Sequence, residues 1–535
     1  MCSNSSVCSS AKATEVMQEI NYAEEVEALK EQVRSMVVDE ETKPEDKMIL
    51  IDTLERLGVA YHFEKEINEQ IAQIFQLQEQ KGDEDYDLYT TSLHFRLFRM
   101  HGYNVPCSVF NKFKEDDGTF KKSLTTDIKG LLSLYEAVQL RRRQENILNE
   151  AKDFATHHLT CAMPIADSCL QQRVERALRR NKHWSLSRLE ARYYISIYEN
   201  EESKNELLLK FAKLDYNLLQ NLHKEEISEL MRWWKGLGIG SKLPYLRDCV
   251  VECYLWTAAV NLESRNSFPR LCAAKGLMLI VVMNDTIDSY ATLEEARKFV
   301  EILQQKKWDM EKIDQLPEIM QIAYKAIFSA FEELEQEISK QGRPYAVSYF
   351  REAVGRLAGS YLKTLTWYLG HETPTFLKCI GNGIYDSGSH GVVAAYFMGI
   401  ESASEEVFKW LMSGPTIVEA SGQYVRYTND IATYKHEHKP GELPNTSIDC
   451  YIKEYRVSKD EAIAKLCELA EDAWMAMNGE WLSTNRVPRE FLKPVMNYTR
   501  AAYLSYGEGS DGFTCPQTGL SKDIEALFIH PITIN

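Results

Sequence analysis

Between Ile20 and the carboxy terminus, apolar residues recur at intervals of three and four, interrupted only by short polar stretches. Nowhere does the chain alternate with the period of two that a half-buried strand requires. Ile49, Leu54, Leu57 and Ala60 form one such stripe, and Leu207, Phe211, Leu214, Leu218 and Leu222 form another. That periodicity leaves an all-α fold. At 535 residues the chain has core enough for two helical domains. The polar stretch Tyr198–Glu206, which carries no core pattern, is the expected seam. We therefore expect a disordered tail over 1–17, an amino-terminal helical domain over 18–213 and a second helical domain over 214–535.

A net charge of -17 argues against nucleic acid or an anionic membrane surface as a partner, since both reward a basic face. It also means that an anionic substrate needs local cations and metal. The twelve cysteines form no C-x-x-C pair, which points to reduced thiols in a cytosolic protein. No apolar run approaches the roughly 18 residues that a membrane-spanning helix needs. The Ser-rich start has its first Arg at Arg34 and acids from Glu15 onward, unlike a plastid transit peptide. The sequons at Asn4, Asn445 and Asn497 are read as chance. Asp83–Asp87 and Asp116-Asp117-Gly118 read as a charged loop and a turn, and Arg141–Arg143 and Arg179-Arg180 as solvated helix faces.

Two stretches carry chemistry. The apolar run Leu277–Val282 leads into Met283-Asn284-Asp285-Thr286-Ile287-Asp288, the wet end of a buried helix. Asn284 and Asp288 lie one helical turn apart, so their side-chain oxygens share a face. Downstream, Asn429, Thr433 and Glu437 repeat that spacing at i, i+4 and i+8. Hard divalent cations take oxygen ligands, so two such faces suggest a clustered magnesium site for a diphosphate.

These boxes resemble those of the plant class I terpene synthases, and most closely the sesquiterpene cyclases. The second box is intact from Asn429 to Glu437, whereas the first has Asn284 for the usual Asp, Ile287 for the usual Tyr and Ala291 for the usual Gly. The resemblance extends over nearly the whole chain, through LLLKFAKLDYNLLQNLHKEEISELMRWWKGL from Leu207 and LPYLRDCVVECYLW from Leu243. It implies the class I terpenoid synthase fold for the second domain, beside an amino-terminal domain without chemistry of its own. No Asp-x-Asp-Asp sequence supports protonation-initiated cyclisation, and the tandem-Arg segment with which members usually begin has no match before Ile20.

What the resemblance implies for single residues is specific. Asn284, Asp285, Asp288, Asn429, Thr433 and Glu437 would ligate three magnesium (Mg2+) ions, with Mn2+ as the alternative ion. Arg247 and Arg426 would grip the diphosphate alongside Asn284, Asp288 and Asn429. The family's Arg-x-Arg reads Arg247-Asp248-Cys249 here, so its second member is gone. Trp256, Tyr506 and Phe513 would face a carbocation, with Ser387-Gly388-Ser389-His390-Gly391 as a helix break turning carbonyls toward it. The implied activity is ionisation of farnesyl diphosphate to a C15 product by a cytoplasmic monomer. Geranyl diphosphate is the alternative substrate. A catalytically impaired homologue that binds prenyl diphosphates is the rival reading, favoured by the losses at 249 and 284.

Overall fold

The structure, a computed structural model, describes residues 22–81, 86–162, 168–437, 446–507 and 509–534, with backbone alone at 81 and 435–437. The expected tail, the sequons at Asn4 and Asn445, Asp83–Asp85 and the side chain of Glu437 lie outside the described residues. Helix is the dominant regular element among those described, as the periodicity requires, and the pairing of Lys114 with Phe120 is an isolated bridge.

The chain divides into two compact units, 1–224 together with 525–535, and 225–524. The polar stretch expected as the seam separates two helices, one ending at Tyr198 and one starting at Glu206, and the two compact units divide at 224/225. The helix Glu206–Leu237 runs unbroken through position 213, because its apolar stripe continues. The last residues return to the first unit, where Asn217 exchanges hydrogen bonds with the Ile532 carbonyl and N–H, both at 2.8 Å.

In the first unit, Met48, Ile51, Leu54, Phe63, Ile71, Leu97, Phe211 and Leu214 build the largest apolar core. Beside it lies a buried charge network. Arg56 bonds Asp52 at 2.8 Å and also pairs with Glu136, and Arg96 reaches Asp52 at 2.6 Å. Burial works against ionised Glu136, but Arg56 and Arg96 overcome it and hold the carboxyl down at about 2. Arg141 corrects an expectation, because it is buried rather than solvated. Its guanidinium reaches Asn149 Oδ1 at 2.9 Å and the Val138 carbonyl at 3.2 Å, closing a short helical turn.

In the second unit, eight helices matter for the site: Val250–Val260 (α1), Ser267–Ser289 (α2), Pro344–Leu369 (α3), Phe376–Asp386 (α4), Ser389–Gly399 (α5), Thr416–Glu437 (α6), Ser447–Tyr455 (α7) and Arg489–Tyr506 (α8). Every residue of α5 is buried, and it packs on α2, which is buried continuously from Gly276 to Met283. Helices apolar on all sides must lie inside a bundle. The expected break after Asp386 is present. Gly388 has φ of 74°, a left-handed conformation open to glycine at no steric cost, and the chain restarts there as α5.

Candidate active site

A cavity of about 460 Å³ opens among these helices, lined by residues of α1 to α4, α6 and α8. A larger cleft of about 1180 Å³ lies in the first unit, but its central charges Asp52, Arg56, Arg96 and Glu136 are paired with one another. Volume therefore does not identify the site. Uncommitted chemistry does.

One wall is the polar end of α2. Asn284 and Asp288 both line the cavity, and Asn284 Nδ2 donates to Asp288 Oδ2 at 2.6 Å. Asp285, expected beside them as a ligand, is turned away. It is buried outside the cavity lining and accepts from Arg247, at 2.9 Å from the backbone N–H and 2.8 Å from Nε. Helical geometry explains this, since position 285 lies about 100° around the axis from 284. Arg247 also lines the cavity, and its Nη2 donates to Asn284 Oδ1 at 3.0 Å. The residue expected to grip diphosphate thus spans the first box in this structure. Cys249, in place of the family's second Arg, is buried outside the lining with its Sγ 3.7 Å from Cys253 Sγ.

The facing wall is α6. Asn429 and Thr433 line the cavity one turn apart, with Thr433 Oγ1 donating to the Asn429 carbonyl at 3.0 Å. Arg426 lies one turn before them, bonded to Asn429 Oδ1 and paired with Asp430. A close approach makes room for it: a Cβ at Gly383 would meet Arg426 Cγ at 2.6 Å. Asp430 is buried and also accepts from the Ser447 N–H at 2.8 Å, anchoring the start of α7.

The third wall is aromatic. Trp256 on α1 meets Tyr498 at 5.1 Å, Tyr506 at 5.8 Å and Phe513 at 5.8 Å, all edge-on, and all four line the cavity. The expected aromatic face is therefore assembled, with Tyr498 as an unforeseen member. Tyr498 Oη donates to the Ser387 carbonyl at 2.7 Å, so one carbonyl freed by the helix break already has a partner.

The acids here behave unlike those of the first unit. Burial among the cavity walls pushes Asp288 up to about 7, with Asp386 adding to the shift and the Asn284 amide drawing it back. Asp386 was not foreseen. It ends α4, lines the cavity and is likewise raised, by burial first and then by Asp430 against the pull of Arg426. The oxygen donors of Asn284, Asp288, Asn429 and Thr433 fit a hard cation, and Asp288, to which no guanidinium among the described residues is hydrogen-bonded, favours one electrostatically.

The sequence comparisons agree with this geometry. Residues 235–476 match the model of the terpene synthase family, metal binding domain, and residues 2–178 that of the terpene synthase, N-terminal domain. A germacrene A synthase of Lavandula pedunculata subsp. lusitanica is 42% identical over 510 residues, covering 95% of this chain and 93% of the relative. This chain belongs to the terpene synthase family. A tau-cadinol synthase of Lavandula angustifolia is 41% identical over 517 residues, 96% of this chain and 92% of its own length. Isoprene synthase from grey poplar leaves (Populus x canescens), solved with three Mg2+ ions and dimethylallyl-S-thiolodiphosphate, superposes with a TM-score of 0.89. It is 29% identical, with 96% of this chain and 97% of that one covered.

The family membership makes the synthase a lyase of diphosphate substrates with a metal-binding domain. No helix among the described residues is long and apolar enough to cross a membrane. Of the residues that sequence reasoning missed, Asp386 had a local signal, an acid directly before the Ser-Gly-Ser break. Tyr361 of α3, which also lines the cavity, and Tyr498 had none, since each sits in an ordinary helical pattern and reaches the cavity only through packing.

Proposed function

We propose that this synthase is a magnesium-dependent sesquiterpene synthase that ionises farnesyl diphosphate and releases diphosphate and a C15 product. The observation that carries the reading is the convergence of two oxygen-bearing helix faces, Asn284/Asp288 and Asn429/Thr433, on one aromatic-walled cavity. The relatives named germacrene A and tau-cadinol synthase support the C15 class, and the three Mg2+ ions of the poplar isoprene synthase support magnesium. The free thiols of the described cysteines support a cytoplasmic location, and the protein is read as a monomer.

Asn284, Asp288, Asn429 and Thr433 would hold the metal, with Glu437 one turn further along α6. Bound there, the cations supply Lewis acidity toward the leaving diphosphate. Arg247 and Arg426 line the cavity beside those faces, and each must exchange part of its present pairing for phosphate oxygens. As the allylic C–O bond breaks, negative charge builds on the leaving group and positive charge on the hydrocarbon. The rings of Trp256, Tyr498, Tyr506 and Phe513 offer the hydrocarbon cation their π faces and exclude water that would quench it. Incubating purified protein with magnesium and farnesyl diphosphate, and assaying diphosphate release and volatile products, tests the reading. Turnover is expected to stop when the metal is chelated. Absence of both products at saturating magnesium would favour the impaired homologue.

A further inference from the structure

A carbocation cascade in a dry cavity has to end, and the way it ends depends on which base lies within reach. The acids lining this cavity are not equivalent. Asp430 is committed to Arg426 and to the start of α7. Asp511 accepts the backbone N–H groups of Phe513 and Thr514, both at 3.0 Å. Asp288 shares the metal face with Asn284. The phenols of Tyr361 and Tyr498 are neutral, since burial drives each well above its ordinary range, and neutral phenols are poor bases.

Asp386 differs from all of these. Its carboxylate lines the cavity and, among the described residues, accepts one long hydrogen bond, from Thr364 Oγ1 at 3.3 Å. The direction of that bond is fixed by its neighbours. Asn382 Nδ2 donates to Thr364 Oγ1 at 3.0 Å and to the Ser360 carbonyl at 3.1 Å, so the Thr364 hydroxyl is left to point its own proton at Asp386. Among the described residues, the arrangement holds the carboxylate in place through this one weak contact and engages none of its other lone pairs. Burial raises its basicity above that of a solvated carboxylate.

We propose that Asp386 is the base that terminates the reaction, removing a proton from a carbon adjacent to the carbocation so that the product leaves as a hydrocarbon. The electron pair of the broken C–H bond becomes the π bond of a new C=C, which cancels the positive charge, and the proton forms an O–H bond on Asp386. Diphosphate, the co-product of ionisation, takes that proton as it departs and returns the carboxylate for the next turnover. The proposal rests on the prenyl-diphosphate reading of the site given above.

The test is the molar ratio of hydrocarbon formed to diphosphate released, for wild type, Asp386→Asn and Asp386→Glu. Asparagine preserves the shape and an acceptor for Thr364 but removes the basic group. The ratio is expected to fall at least tenfold in Asp386→Asn, with water-captured alcohols rising to replace the hydrocarbon. Asp386→Glu is expected to keep a hydrocarbon product with a changed double-bond distribution. An Asp386→Asn variant with the wild-type ratio and the same olefin overturns the proposal, as does a wild type that makes alcohols alone. A wild type that releases no diphosphate overturns the underlying reading instead, and the proposal with it. Should Asp386→Asn fail to fold, Thr364→Val serves. It removes the Thr364 hydrogen bond, which favours the charged carboxylate, so the pH below which hydrocarbon gives way to alcohol moves upward. A product ratio independent of pH in both proteins overturns the proposal.

Discussion

The two units contain the same kinds of charged residue put to opposite use. In the first, Asp52 and Glu136 are locked to Arg56 and Arg96, and Glu136 is held at about 2. In the second, Asp288 and Asp386 face one cavity with no guanidinium among the described residues hydrogen-bonded to either, and Asp288 rises to about 7. The arginines near them are engaged elsewhere, Arg247 with Asp285 and Arg426 with Asp430. Removing one member of a buried pair strands the charge of the other, whereas a buried carboxylate with no guanidinium bonded to it attracts a cation. The contrast identifies the site more reliably than cavity size.

The sharpest way to break the comparison is to remove the charge at 288. Asp288→Asn is expected to lower turnover by on the order of 100-fold, the scale of losing one electrostatic contact to the reacting centre. Wild-type rates at limiting magnesium would remove Asp288 from the metal site. Arg426→Ala is expected to raise the half-saturating farnesyl diphosphate by about tenfold, as loss of one charge-assisted hydrogen bond would. Arg142→Ala, whose side chain pairs with Glu145 in the first unit, should leave that concentration alone.

Asn284→Asp sharpens the comparison by restoring the family's charge. A unit pair at about 4 Å and an effective dielectric of 20 amounts to about 4 kcal/mol, most of it offset by water and phosphate. We expect a roughly fivefold lower half-saturating magnesium, a residual of about 1 kcal/mol. The same change replaces the 2.6 Å amide bond to Asp288 with repulsion, so the metal-free protein should melt lower. An unchanged magnesium requirement would leave Asn284 as a hydrogen-bond partner only.

The two units also predict opposite pH behaviour. Asp288 binds its proton more tightly folded than unfolded, so metal-free stability from this group falls as pH rises from about 4 to about 7. Metal competes with that proton, so half-saturating magnesium should fall by about tenfold between pH 6 and pH 8 and level off above 7. Glu136 binds its proton less tightly folded, so its contribution is full above its ordinary value of 4.5 and is lost as pH falls toward about 2. The smallest effect on catalysis belongs here. Glu136→Gln should cost about 3 kcal/mol of stability in denaturant titrations by stranding Arg56 and Arg96, with kcat/KM of the folded protein unchanged.

Much of this was legible in the sequence because helical periodicity is local. The all-α class follows from intervals of three and four, and the shared faces of Asn284 with Asp288 and Asn429 with Thr433 follow from 3.6 residues per turn. Asp285 was misleading for the same reason, since adjacency in sequence places it on another face, where Arg247 takes it. Arg141 read as solvated because a run of arginines carries no mark of the carbonyl and amide that bury one of them. The pairing state of Asp386 was beyond reach, because it depends on Thr364 and Asn382, brought together only when α3 packs on α4. The division of the compact units at 224/225 falls inside the helix Glu206–Leu237, and a long helix gives no compositional sign of where its contacts change owner.

The central claim is that Asp288, unlike Asp52 and Glu136 in the first unit, is completed by metal. The most direct test follows the melting temperature of wild type, Asp288→Asn and Glu136→Gln during a magnesium titration with inorganic diphosphate present. Wild type and Glu136→Gln are predicted to rise by the same increment, whatever their starting temperatures, while Asp288→Asn stays flat. Equal increments in all three proteins, or none in the wild type, would contradict the account.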